Sequence, residues 1–285
     1  MPENIIPCGA YRLAWSTGKP LVMGIVNVTP DSFSRDGLGL NADAAFAQAI
    51  AMMAAGADLV DIGAESTRPG AQVVSAEEEL NRLVPLLERL LAEGIPVSVD
   101  TYKASVMVEA IRLGAGLIND ISALGDADSA KVLSAHPAVS VCLMHMQGEP
   151  GTMQHAPVYQ DVAAEVEAFL QRAIAKAEVA GINRNRLILD PGFGFGKTFE
   201  HNQTLFRALP QLAALGFPVL VGVSRKAMIG QATDKPVEDR CAGSVAAALL
   251  ATQYGAAIVR VHDVAQTVDA LKVSRALGPQ LDLEQ

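Results

Sequence analysis

Nine polar residues, Asn27, Thr67, Arg68, Asp100, Asn119, Asp190, Lys226, Arg260 and His262, fall at or just beyond the ends of short apolar runs. Their types sort into two chemistries. Asp100, Asn119 and Asp190 offer acceptors and one amide, which suits a flat heterocycle carrying N–H donors, whereas Arg68, Lys226, Arg260 and His262 suit an anionic group. Arg260 and His262 are two apart on a strand-like run and so point to the same side. Ser224-Arg225-Lys226 sets two cations at a strand-to-helix junction, where the helix dipole also favours a carboxylate or phosphate. The stretch Asp61–Gly70, with a carboxylate, two hydroxyls and a guanidinium, is either an anion-binding loop or an ordinary solvated turn.

Several familiar chemistries are missing. There is no Ser–His–Asp order, phosphate-binding loop or zinc signature, and GFGFGK is not the GxGxxG that opens a dinucleotide-binding helix. His145 and His155 match no helical metal-ligand spacing, so His145 is read as a strand-end residue with a satisfied hydrogen bond. Without a nucleophile, the chemistry expected is one driven by placement and charge.

What must position these residues is a repeated element. The stretch LILDPGFGFGK, Leu187 to Lys197, is a β-prone run that stops at a carboxylate and enters a loop of Pro and three Gly, expected to be mobile and to expose two phenylalanines. Seven further runs end in the same way, at Asn27, Asp61, Asp100, Asn119, His145, Ser224 and around Arg260–His262. Eight such strands separated by helix-like segments read as one (β/α)8 barrel, an α/β fold. Helices are expected at Ala42–Ala55, from a Ser75 capping box to about Glu93, from Ala104 to Gly114, over Val162–Ala180, around Gln203–Leu215, and from an Asp263 cap onward. Residues 1–20 read as a preamble, a hairpin under the barrel; 21–278 as the barrel; 279–285 as a tail.

The chain has 285 residues, half of them hydrophobic, with no linker or low-complexity tract to divide it. A net charge of −9 with scattered Lys and Arg speaks against a nucleic-acid surface. No signal-peptide pattern or long apolar run implies a membrane, and Cys8, Cys142 and Cys241 lack pairing or metal spacing, so a soluble cytoplasmic protein is expected.

The blocks NVTPDSFS (27–34), ESTRPGA (65–71), SVDT (98–101), NDI (119–121), MHMQG (144–148), DPGFGFGK (190–197), SRK (224–226) and RVHD (260–263), in this order, resemble the dihydropteroate synthases of folate biosynthesis. That resemblance implies condensation of 6-hydroxymethyl-7,8-dihydropterin diphosphate with p-aminobenzoate, giving 7,8-dihydropteroate and pyrophosphate with Mg²⁺, by an SN1-like route. It implies that Asp100, Asn119, Asp190, Lys226 and Met144 bind the pterin, that Arg260, His262 and Thr67 hold the diphosphate, and that Asn27 ligates Mg²⁺. Thr67, Arg68, Pro69, Phe33 and Phe195 would frame p-aminobenzoate. It further implies a homodimer and sulfonamides as inhibitors.

Three departures from the family pattern stand out: Arg35-Asp36 where an aspartate usually follows SFS, Ala64 for a glycine, and Ala227 for a serine after SRK. The alanine at 64 is tolerable if its φ is negative. Two rival readings remain at this point, a pterin-binding methyltransferase serving a separate corrinoid partner and a paralogue that binds pterin without turnover.

Overall fold

A computed structural model describes residues 4–28, 42–66, 73–149 and 151–278. The eight apolar runs become eight parallel strands, here β3 Leu21–Asn27, β4 Leu59–Gly63, β5 Val97–Asp100, β6 Leu117–Asp120, β7 Ser140–Met144, β8 Leu187–Asp190, β9 Leu220–Val221 and β10 Ile258–Val261. They pair in the order β8-β7-β6-β5-β4-β3-β10-β9. A parallel bridge between Leu189 and Val219, with Leu189 N donating to Pro218 O at 2.9 Å, joins the two ends and closes the barrel. Closure leaves no free edge.

Strand alternation divides the core in two. Val22, Val60, Val99, Ile118, Leu143, Leu189 and Val259 face outward and join the large apolar cluster beneath the helices. Met23, Leu59, Leu117, Cys142, Ile188, Leu220 and Ile258 face inward and fill the lower lumen. Going up each strand by two residues replaces this apolar layer with Ile25, Asp61, Asn119, Met144, Asp190, Gly222 and Arg260. The chain thus builds an apolar floor with a polar storey above it.

Before the barrel, β1 Asn4–Cys8 and β2 Tyr11–Trp15 form an antiparallel hairpin. Its Ile6, Cys8 and Leu13 belong to the same cluster as the lower lumen, so the hairpin plugs that end, as the sequence suggested. Ser140 Oγ donates to Pro7 O at 2.6 Å and Gly9 N to Ala138 O at 2.9 Å, fixing the plug to β7. Cys8 and Cys142 act there as small buried hydrophobes, and burial pushes the Cys8 thiol up to about 12. The tail at 279–285 lies outside the described residues.

The helices are α1 Ala42–Ala54, α2 Ala76–Ala92, α3 Ala104–Leu113, α4 Ser129–Ser134, α5 Val162–Val179, α6 Phe199–Arg207, α7 Leu209–Ala213, α8 Ala227–Thr233, α9 Cys241–Gln253 and α10 Val264–Leu277. Ser75 caps α2 by accepting from Glu78 N at 3.2 Å, but the Glu78 carboxylate pairs with Arg82 instead of returning to Ser75. The helix expected around Gln203–Leu215 starts earlier and is two helices. Thr198 and His201 cap each other's backbone N–H groups at 3.2 Å, a reciprocal box with His in place of the usual Glu or Gln. Pro210, which lacks an N–H, then sits in the first turn of a new helix. The short α4 had no clear sequence signal. Buried Arg186 donates to the carbonyls of Leu133, His136 and Val139 at 2.6–3.2 Å, and so closes the end of α4 against the start of β7.

Candidate active site

The upper lumen opens into a cleft of about 900 Å³ whose lining includes Asn27, Asp100, Phe195, Lys226, Arg260 and His262. Asn119, Asp190 and Met144 are buried beside it, with Asp100 opposite Asn119 and Met144 opposite Asp190 in the strand register. Arg260 organises the cationic side. Its Nε donates to Asp61 Oδ2 at 2.6 Å and its Nη2 to Asp100 Oδ2 at 2.9 Å, and Asn119 Nδ2 donates to the same Asp61 oxygen at 3.1 Å.

Two acceptors in this network, Asp61 Oδ1 and Asn119 Oδ1, are buried without a hydrogen-bond partner. Leaving such groups unpaired costs on the order of 1–3 kcal/mol each.

Burial is also the main influence on the ionisable groups. It raises the Asp100 carboxyl to about 7, with Arg260 opposing and Asp61 adding to the rise. It raises Asp190 against the opposing charge of Lys226, and lowers Lys226 to about 8 against the support of Asp190. For Arg260, burial works toward a lower value, but Asp61 and Asp100 outweigh it and hold the guanidinium above its ordinary range. Charged and neutral forms of Asp100 and Lys226 thus lie close in free energy near neutral pH.

Lys226 is aimed by its own turn. Arg225 before it adopts φ of 56°, a conformation most L residues avoid. The turn is held by Arg225 N donating to Ser244 Oγ at 2.8 Å, Arg240 Nη1 donating to Arg225 O at 3.0 Å, and the Arg225 guanidinium forked onto Asp263 at 3.0 and 2.5 Å. Asp263 was expected to cap α10. It stands at the cap position, but its side chain makes no cap bond because it is spent on Arg225. Of the SRK pair, then, Lys226 addresses the lumen and Arg225 is a strut. Lys226 Nζ donates to Phe193 O at 2.5 Å and lies 4.6 Å from the centre of the Phe195 ring.

The loop after Asp190 is not as expected. Phe193 is fully buried against Phe206, with ring centres 5.6 Å apart, and Phe195 is half-buried. The backbone is tied down throughout: Gly192 N donates to Asp190 Oδ1 at 2.7 Å, Gly194 N to Asn202 Oδ1 at 2.8 Å, Tyr159 Oη to Gly196 O at 2.9 Å, and Gln154 Nε2 to Gly194 O. Its glycines serve close approach rather than motion. A Cβ on Gly192 would come 1.8 Å from His145 O, and one on Gly196 2.3 Å from Gln147 O.

His145 has the satisfied hydrogen bond expected of it, with Nδ1 2.9 Å from Lys197 Nζ. Burial, and then the Lys197 charge, lower its pKa to about 3, so it is a neutral acceptor. His262 lines the cleft with Nδ1 3.0 Å from Ser224 Oγ. Ala64 keeps out of the positive-φ region, as tolerance of an alanine there requires. Phe33, Thr67, Arg68 and Pro69 lie outside the described residues, as does Arg35.

Sequence reasoning marked Asp61 as a strand end but left it out of the nine rim residues; it is fully buried at the centre of the network. The signal was present, because the alternation that pairs Arg260 with His262 also places Asp61 on the inward face with Leu59.

A (β/α)8 barrel whose lumen offers carboxylates and an amide on one side and a lysine and arginine on the other is the frame of an enzyme for small polar heterocycles. The family model described as "Pterin binding enzyme" matches residues 23–262. The chain is 49% identical over 285 residues to dihydropteroate synthase of Neisseria meningitidis serogroup C, covering 99% of this chain and 100% of the relative. It superposes on Xanthomonas albilineans dihydropteroate synthase with 4-aminobenzoic acid at a TM-score of 0.90 and 50% identity, covering 96% of this chain and 98% of the other. The same enzyme in complex with 7,8-dihydropteroate gives a TM-score of 0.86 and 48% identity, covering 95% and 98%. The chain belongs to the dihydropteroate synthase family of pterin-binding enzymes.

Proposed function

We propose that the protein condenses 6-hydroxymethyl-7,8-dihydropterin diphosphate with p-aminobenzoate, releasing 7,8-dihydropteroate and pyrophosphate. The observation that carries this reading is the cleft in which Asp100, Lys226 and Arg260 meet, with Asn119 and Asp190 buried beside it. A pterin is a flat heterocycle rich in N–H donors, and it matches that array. The relatives at 49–50% identity are synthases, which favours this reading over the methyltransferase one.

In this mechanism Asp100, Asn119, Asp190 and Lys226 hold the pterin ring, with Met144 beside it. Arg260, His262 and Thr67 hold the diphosphate. Thr67, Arg68 and Pro69, with Phe33 and Phe195, frame p-aminobenzoate, whose carboxylate meets a backbone N–H where Ala227 replaces serine. Ionised Asp100 and Asp190 stabilise positive charge spreading into the pterin as the pyrophosphate departs, while Arg260 stabilises the leaving group. The aniline nitrogen then forms the C–N bond and loses its proton to solvent. Sulfonamides, being aryl amines with an acidic group opposite, compete for the aminobenzoate position.

Asn27 is suited to Mg²⁺. It brings an oxygen donor to the cleft beside His262, and no cluster of three His, Cys, Asp or Glu able to hold an ion occurs among the described residues. Mg²⁺ prefers one or two protein oxygens together with phosphate oxygens and water, and such a site asks no more of the chain than Asn27. When bound, the ion screens charge on the diphosphate.

Pyrophosphate release and dihydropteroate formation, measured together with and without p-aminobenzoate, test the assignment; pterin binding without product would overturn it. The ionised Asp100 also sets a pH dependence. The carboxyl is protonated as pH falls through about 7, so kcat/KM for the pterin is expected to fall about tenfold per pH unit below that point. A flat profile from pH 8 to 5 would remove Asp100 from that role. The stability contribution runs the other way: a raised carboxyl stabilises the fold most at low pH and loses that contribution as pH rises through about 7.

We further place the protein in the cytoplasm, in keeping with an odd number of cysteines of which two are buried fillers, and we assign it a homodimer. Ala242, Ala246 and Leu250 make an exposed small and apolar stripe on α9, next to exposed Val273 and Leu277 on α10. Sedimentation at twice the 29.9 kDa chain mass is expected; a monomer at micromolar concentration would refute the pairing.

A further inference from the structure

Lys197 ends the GFGFGK block and is only 3% exposed. An ammonium has three protons, and three protein acceptors surround this one: His145 Nδ1 at 2.9 Å, Gly192 O at 2.8 Å and Phe195 O at 3.0 Å. All its donors are therefore used within the protein. Burial lowers its pKa to about 7, with Asp190 supporting the charge and Lys226 opposing it. A lysine kept at that cost in the wall of a cleft, with no proton to spare for a ligand, is placed there for what it holds.

What it holds is the loop that carries Phe195. One end of the anchor is His145 at the end of β7, and the other is a pair of carbonyls on the loop after β8. His145 is itself fixed, with its N–H donating to Asp190 O at 3.0 Å and its ring edge-on to Phe169 at 4.9 Å between centres. Phe195 is thus located twice, through its carbonyl by Lys197 and through its ring by Lys226 at 4.6 Å. Lys226 keeps the aim its own turn gives it, and its bond to Phe193 O is a further tie on the loop.

We propose that Lys197 is a positioning residue for the second substrate, the aromatic amine: it ties the loop Pro191–Gly196 to His145 so that the Phe195 ring forms a preset wall for the aminobenzoate ring. The proposal rests on the reading that Phe195 frames that substrate. Lys197 does not touch the reacting atoms. Its contribution lies in a wall that needs no ordering when the amine binds.

Lys197→Met keeps the length of the side chain and removes its protons. The expected result is a KM for p-aminobenzoate raised at least about tenfold, with kcat at saturating amine and the KM for the dihydropterin diphosphate each within about threefold of the parent. A lowered kcat with unchanged amine KM, or equal losses for both substrates, would overturn the positioning role. His145 provides a test that does not depend on that variant folding. His145→Gln retains an acceptor for Lys197 and is expected to keep the amine KM near the parent value, whereas His145→Leu removes it and is expected to raise that KM; identical behaviour of the two would sink the proposal. Phe195→Ala separates the two levels of argument. A raised amine KM supports the site reading, and an unchanged one overturns that reading and the role of Lys197 with it.

Discussion

Arg260→Met is expected to remove turnover and to destabilise the fold at once. Arg260 is the only described cation paired with Asp61 and Asp100, and Asp61 is completely buried. Taking one member from a buried ion pair costs about 3–5 kcal/mol, because the abandoned charge has neither water nor a partner. Here two carboxylates from adjacent strands are abandoned, and one of them must take up a proton to remain inside. Against a total stability on the order of 5–15 kcal/mol, that is a large share. The urea midpoint should fall with the m-value unchanged, and pyrophosphate release should become undetectable even under conditions where the variant is folded. A midpoint equal to the parent's would mean that the carboxylates are not held by Arg260 as their 2.6 and 2.9 Å contacts indicate.

Asp190→Asn should produce the cleanest loss of chemistry, with kcat/KM down by about 10²–10³ and the thermal midpoint little changed. The two effects separate because the carboxylate has two functions. Its Oδ1 accepts from Gly192 N at 2.7 Å, and an asparagine oxygen can do the same, so the loop keeps its anchor. The charge is what disappears. With it go the counter-ion of Lys226 and one of the anions facing the positive pterin. A variant with near-parental rates would show that the charge of Asp190 is not used in the transition state; one that melts early would show that its hydrogen bond is not transferable to an amide.

Much of this site could be read from the sequence because strand alternation is a local rule. Once Met23, Leu59 and Leu117 are recognised as inward-facing, the residues two and four places on, Asn27, Asp61 and Asn119 among them, face the same lumen by geometry alone. The same rule would have added Asp61 to the rim residues. What could not be read locally was the rigidity of the glycine loop. GFGFGK has the composition of a flexible turn, and its restraint comes from Gln154, Tyr159 and His145, which are 40, 37 and 52 residues from their partners. Asp263 misled for a similar reason, since its alternative partner Arg225 is 38 residues away and competes successfully with a nearby helix end. The break between α6 and α7 differs in kind: Pro210 announced it, and only its placement inside an otherwise helical pattern concealed it.

The hairpin beneath the barrel has a consequence in time. Its anchor from Ser140 to Pro7 spans 133 residues, so the hairpin cannot be tied to β7 until the fifth barrel strand has been made. At about 5–20 residues per second, Pro7 waits roughly 7–27 s for Ser140. During synthesis the hairpin is therefore anchored late, and the interval is one in which an apolar strand pair is open to chaperones or to another nascent chain.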